Sequence, residues 1–186
     1  MKKVFLYNVC LFLIILGACK PKTTTSPANK CTSPLANGEL EKIQIFPSDN
    51  ALNTDISSQP ADPNSTNIIN AIGAVGLHPD FGAMLWNGAP IGIPFACVCG
   101  SQAKLSVTYR ANGYDGNYGN ESDPGPFPIP SDAKIEGNGV GDSHVLIADV
   151  ENKILYELYN ASYNGTGWEA SCGAKFDLKT NTFRTD

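Results

Sequence analysis

The sequence predicts a β-rich α+β domain, with one short helix, long Gly/Pro loops and strands paired as an antiparallel sheet or sheets. Two observations carry this. Residues 144–150 and 154–159 are β-rich runs joined at Glu151-Asn152-Lys153, the pattern of a hairpin. Only one stretch, after Asp62-Pro63, repeats apolar residues at helical spacing: Ile68, Ile69, Ile72 and Val75. Asp62 there suits an N-cap and Pro63 the first helical position, with Gly73 or Gly76 as the stop. The apolar stripe of this helix is expected to pack on the sheet.

The other elements follow in order. Residues 43–46 alternate and end at Pro47, like a short strand. Residues 48–59 are rich in turn formers. Residues 92–99 are apolar and suit a buried strand, with Pro94 implying a late start or an edge position. Residues 104–110 alternate Leu105, Val107 and Tyr109 with polar neighbours, as a half-buried strand does. Residues 111–130 are crowded with Gly and Pro, so no regular element runs through them. In the hairpin's second strand Ile154, Tyr156 and Leu158 share the expected core face. Residues 174–178 suit a last short strand.

The first nineteen residues give location. Lys2 and Lys3 precede an apolar run from Val4 to Leu16, and Leu16-Gly17-Ala18-Cys19 closes it. This resembles the signal peptide and lipobox of bacterial lipoproteins. The resemblance implies cleavage before Cys19 and attachment of a diacylglycerol to its sulfur. The physics agrees: about 15 residues rise only about 22 Å as a helix, short of the roughly 30 Å hydrocarbon core. Each acyl methylene that enters the membrane contributes about 0.8 kcal/mol, so several chains hold a domain that does not cross. The expected organisation is a signal peptide over residues 1–18, a lipidated tether over 19–42 whose Thr, Ser, Pro and Lys offer little to bury, and a single β-rich domain over 43–186. The expected place is the bacterial cell envelope, at the outer membrane or cell surface rather than the cytoplasm.

The chain of 186 residues carries a net charge of −5, and losing residues 1–18 removes Lys2 and Lys3 and no acid, leaving −7. An acidic domain without a basic stripe argues against nucleic acid as a partner. The expected partners are the membrane, through the lipid, and a glycan. Six cysteines are present. Cys10 leaves with the signal and Cys19 takes lipid, so Cys31, Cys97, Cys99 and Cys172 remain for disulfides in an oxidising compartment. Cys97 and Cys99 flank Val98 and share one face of a strand, which suits separate partners: one bonded to Cys172, the other to Cys31. Zinc is the rival, disfavoured because there is no second close pair.

Several blocks look familiar together: Ile45-Phe46-Pro47-Ser48-Asp49-Asn50, Gly76-Leu77-His78-Pro79-Asp80-Phe81-Gly82, Glu121-Ser122-Asp123-Pro124-Gly125-Pro126-Phe127-Pro128-Ile129-Pro130, His144-Val145-Leu146-Ile147-Ala148-Asp149 and Leu155-Tyr156-Glu157-Leu158-Tyr159. They resemble an uncharacterised family of exported bacterial proteins. The resemblance carries no catalytic role with it. Members of that family tend to continue past residue 186, which implies a domain incomplete at its C-terminal side.

Four groups of residues could carry chemistry. His144 and His78 are the two histidines, candidate acid–base groups, with Asp142 and Asp80 as orienting carboxylates. In a straight strand Asp142 and His144 stand about 7 Å apart, so they meet only where the chain bends. The commoner role for each histidine is structural. A histidine opening a strand after an upstream cysteine also resembles cell-wall peptidases of the NlpC/P60 type, but Cys97 and Cys99 sit in a strand-like run rather than at a helix start. Asp115, Asn117, Glu121 and Asp123 gather oxygen ligands in a glycine loop, which calcium favours. The EF-hand pattern fails there because Gly119 takes the fifth position, and a solvated turn is the commoner outcome. Finally, Tyr109, Tyr114, Tyr118 and Phe127 border the long loop, Tyr156, Tyr159, Tyr163 and Trp168 follow in and after the hairpin, and Trp86 sits near His78. Exposed rings stack on sugars, although most rings in a β domain are packing. The expected function is a lipid-anchored binding module for a polysaccharide. The alternative is a hydrolase or lyase acting on such a polymer through His144 and His78. A third is a remnant without activity of its own.

Overall fold

The computed structural model describes residues 31–73, 75–76, 84–86, 88–111 and 118–184. Among them lie one α-helix, α1 (Ser65–Ile72), and nine strands: β1 (Leu85–Trp86), β2 (Ala89–Pro90), β3 (Phe95–Val98), β4 (Val107–Tyr109), β5 (Val145–Asp149), β6 (Ile154–Tyr159), β7 (Ser162–Tyr163), β8 (Trp168–Ala170) and β9 (Cys172–Asp177). The fold is β-dominated α+β. No helix among the described residues is long and apolar enough to cross a membrane.

A four-stranded sheet has the order β3-β5-β6-β9, a three-stranded sheet the order β4-β8-β7, and β1 pairs with β2 alone. The hairpin forms as the alternation predicts, with β5 and β6 antiparallel from Val145↔Leu158 to Asp149↔Ile154. Its turn is built by Asp149, whose Oδ1 accepts the Asn152 N–H (3.0 Å) and whose Oδ2 accepts the Asn152 side-chain amide (2.7 Å). β9 adds antiparallel to β6. β7 pairs antiparallel with β8, whereas β3 lies parallel to β5 and β4 parallel to β8. Both sheets are therefore mixed.

Val98, Val145, Ile147, Tyr156 and Leu158 from the larger sheet meet Trp168 and Ala170 from the smaller, with Phe127 and Ile129 from the long loop between. Leu105, Val107 and Tyr109 pack against this core as their alternation requires. Leu105 itself only bridges to Phe127, so β4 is shorter than the predicted run. Gly173 is demanded by close approach: a Cβ there would lie 2.4 Å from Tyr109 Oη and 2.9 Å from Leu158 Cδ2.

Several expectations are corrected. Residues 43–46 form no strand. Phe46 adopts φ 62°, and its N–H reaches Leu178 O at 2.8 Å. The side-chain amide of Asn53 gathers the carbonyls of Ile45, Phe46 and Pro47 at 2.8–3.2 Å, groups that a strand partner would otherwise bond. α1 starts later than expected, with Asn64 as N-cap. Asp62 Oδ1 accepts the Asn64 N–H at 2.7 Å, and Asp62 O accepts the Ser65 N–H at 2.8 Å, so Asp62 shapes the turn before the helix. Gly73 ends it at φ 86°. Its stripe does not pack on the sheet: Ile68, Ile69, Ile72 and Val75 are all exposed. The run over 92–99 becomes a strand only at Phe95, after Pro94, as that proline implied.

Among the described residues one disulfide is present, Cys31–Cys99, while Cys97 and Cys172 are free thiols. The second expected bridge fails for a geometric reason. β5 and β6 stand between Cys97 on β3 and Cys172 on β9, a separation of about 14 Å, whereas a cystine spans about 7 Å between Cα atoms at most. Residues 31–42, expected in the tether, are held to the sheet instead. Besides the cystine, Leu35 bridges Cys97 and the Ser33 hydroxyl accepts the Cys99 N–H at 2.9 Å.

Candidate functional site

His144 lies just before β5, and its partner is not Asp142. Ser143 takes φ 51°, so the chain bends between the two. Loop residues Gly137 (φ 59°), Asn138 (φ 55°) and Gly139 (φ 84°) fold the preceding segment back instead. That return brings Glu136 against His144. The Glu136 N–H donates to His144 O at 2.9 Å, and Glu136 Oε2 lies 2.5 Å from His144 Nδ1 and 3.3 Å from the His144 N–H. A carboxylate that accepts from Nδ1–H fixes the tautomer and ring orientation, leaving Nε2 available to accept or deliver a proton.

The His144 ring borders a shallow cleft of about 330 Å³ with Tyr118, Glu157, Tyr159 and Cys172. This cleft forms because β5, β6 and β9 run in register. Val145 faces Leu158 and Tyr159 faces Cys172, so His144, Tyr159 and Cys172 form a row across three strands. The rings of His144 and Tyr159 sit 5.3 Å apart, and Tyr118 meets Tyr159 edge-on at 6.2 Å. Burial pushes the Glu157 carboxyl up from its ordinary range, with His144 and Arg184 pulling it partly back. Burial likewise pushes the Cys172 thiol up, against a smaller downward pull from Arg184.

This is a poor setting for a cysteine nucleophile. Two strand spacings, about 10 Å, separate the backbones of His144 and Cys172, with Tyr159 between them. The upstream cysteines fare no better. Cys99 is in the disulfide, and Cys97 is buried, with burial pushing its thiol up.

On the other side of Glu136 lies a groove of about 430 Å³, lined by Trp86, Ile91, Val140, Glu136 and Asp142. Trp86 is 48% exposed, and one edge of its indole rests on Gly137 and Gly141. A Cβ at Gly137 would come within 3.2 Å of Trp86 Cζ3, and one at Gly141 within 3.3 Å of Cη2. Both glycines have positive φ, so space and backbone conformation ask for the same residue. Asp142 therefore serves this groove and not the imidazole. Its carboxylate has no hydrogen-bond partner among the described residues, and its backbone O accepts the Asn160 N–H at 2.8 Å. Glu136 lines this groove and contacts His144, which lines the other cleft.

The other candidates separate. Cys19, His78, Asp80, Asp115 and Asn117 lie outside the described residues. Asp123 Oδ2 accepts the Lys175 N–H at 2.7 Å and Arg184 Nε at 3.1 Å, so that oxygen is engaged within the protein. Among the described residues Cys31, Cys99 and Glu151 cluster closely enough to hold a metal, but the two sulfurs are bonded to each other. Of the aromatic residues, Phe127, Tyr156 and Trp168 are core, and Tyr109 donates from Oη to Asp123 O at 2.5 Å. Burial, with the Asp123 charge adding, pushes Tyr109 up to about 12. Trp86 and Tyr118 remain exposed. Glu136, eight positions upstream of His144, escaped sequence reasoning because its pairing depends on the left-handed turn at residues 137–139. A glycine-rich segment before a histidine was the sole hint. Comparison of the chain with protein-family models, curated proteins and solved structures gave no match.

Proposed function

We propose that this is a lipid-anchored cell-envelope protein whose folded domain binds a polysaccharide in the Trp86 groove. The observation that supports the reading best is the half-exposed indole beside the carboxylates of Glu136 and Asp142. A ring face stacks on the apolar face of a sugar while carboxylates accept from its hydroxyls. Titrating oligosaccharides into the purified protein by calorimetry tests it, with tryptophan fluorescence as a second readout in the unaltered protein, since Trp168 is buried and Trp86 is not. Trp86→Ala should weaken binding at least about tenfold, a loss typical of an aromatic anchor. Unchanged affinity in that variant would overturn the reading. The anchor is tested separately by mass spectrometry of the native protein. A chain starting at Met1, or a Cys19 without acyl mass, removes that part.

A second reading is favoured by one specific observation, the 2.5 Å contact between Glu136 and His144. In a hydrolase or lyase acting on the same polymer, His144 Nε2 would be the general base and Glu136 its positioning residue. A positioned base contributes about 10²–10⁴-fold. His144→Ala should lower a measured turnover by that factor, and an unchanged rate would exclude His144 from the role.

A further inference from the structure

We infer that the Trp86 groove selects polymers of amino sugars that carry free ammonium groups, over neutral or acidic glycans. The inference rests on the groove being the glycan site. Among the described residues its lining holds two carboxylates, Glu136 and Asp142, and no Lys, Arg or His. The imidazole of His144 stands behind Glu136 and opens to the other cleft. An ammonium placed between the Asp142 carboxylate and the indole face gains a charge-assisted hydrogen bond and a cation–π contact together. A uronate or sulfated sugar there meets like charge, on a chain already at −5. An N-acetylated sugar keeps the ring stacking and loses both charge terms. The remaining lining, Pro90, Ile91 and Val140, is apolar and suits the ring carbons.

The test compares three oligosaccharide probes of equal length on the full chain: deacetylated glucosamine oligomers, their N-acetylated counterparts, and oligouronates. The deacetylated probe should bind at least about tenfold tighter than the acetylated one at low salt. Raising the salt should shrink that preference, as screening requires for a partly exposed pair. Asp142→Asn should abolish the preference, bringing the deacetylated probe to the same affinity as the acetylated one, with an unchanged melting temperature as the control for folding. Trp86→Ala should weaken both. Equal or tighter binding of the acetylated or uronate probes overturns the charge selection and leaves the groove as a glycan site. Binding of none of the three overturns the groove itself and the selection with it.

Discussion

The residues before Ala89 and those after it solve the problem of apolar surface in opposite ways. From Ala89 to Leu178 strand residues alternate into a shared core, and Trp168, Phe127, Ile129 and Leu158 are almost wholly covered. Before Ala89, Leu52, Ile56, Ile68, Ile69, Ile72, Met84 and Leu85 are all exposed, and none of the described residues in that part is buried. Both parts carry apolar patterning. The difference is in partners: each strand of the larger sheet has a neighbour in register, whereas α1 packs no face against either sheet. Amphipathic spacing is thus enough to form a helix and insufficient to place it, because burial needs a second surface of matching shape.

If stability resides in the later part, mutations should sort by side of that divide. Trp168→Ala removes the largest buried side chain and should cost about 3–5 kcal/mol in chemical denaturation. A loss below about 1 kcal/mol would erase the contrast. Next, Cys31→Ser with Cys99→Ser opens a link between residues 68 apart, and should cost about 2–4 kcal/mol. Reducing agent should reproduce that loss in the unaltered protein and add nothing to the double variant.

A smaller effect is expected at Glu157. Its folded pKa is raised by burial, so its favourable contribution is full below the ordinary carboxylate range and is lost as pH rises through the raised value. Glu157→Gln should therefore melt about 1–3 °C higher than the parent at neutral pH. The gap should close below about pH 4. A gap that widens in acid would show that the carboxylate is stabilised where it sits. The smallest change is expected for Ile69→Ser on α1, within about 0.5 kcal/mol. A loss above about 2 kcal/mol would mean that the stripe is packed in solution, and the two parts would no longer differ.

What could be read from the chain was what local physics decides. The hairpin of β5 and β6 was legible because alternation and a turn lie within sixteen residues, and the inward face of Tyr156 and Leu158 followed from period two. The stop of α1 was legible for the same reason as one of two glycines, Gly73 or Gly76, of which Gly73 ends the helix. Distant pairings were not. Nothing in the run from Phe95 to Val98 indicates that it lies parallel to a strand some fifty residues later, and that placement decides which cysteines can reach one another. His144 was visible as a candidate, but its carboxylate was sought two residues away. The bend at Ser143 and the fold-back through Gly137 and Gly139 supply Glu136 instead. Left-handed turns of that kind reroute side chains in a way that strand periodicity does not convey.

The Cys31–Cys99 cystine has a consequence for a lipidated chain. Eleven residues lie between Cys19 and Cys31, a line that can reach about 40 Å at most. The line is made fast where β3 ends, level with Asp149, whereas the imidazole and the indole berth lie beyond Val145 at the opposite tip of β5, about 17 Å further on. If Cys19 carries lipid, the attachment therefore enters the folded part at the end of β5 away from both cavities.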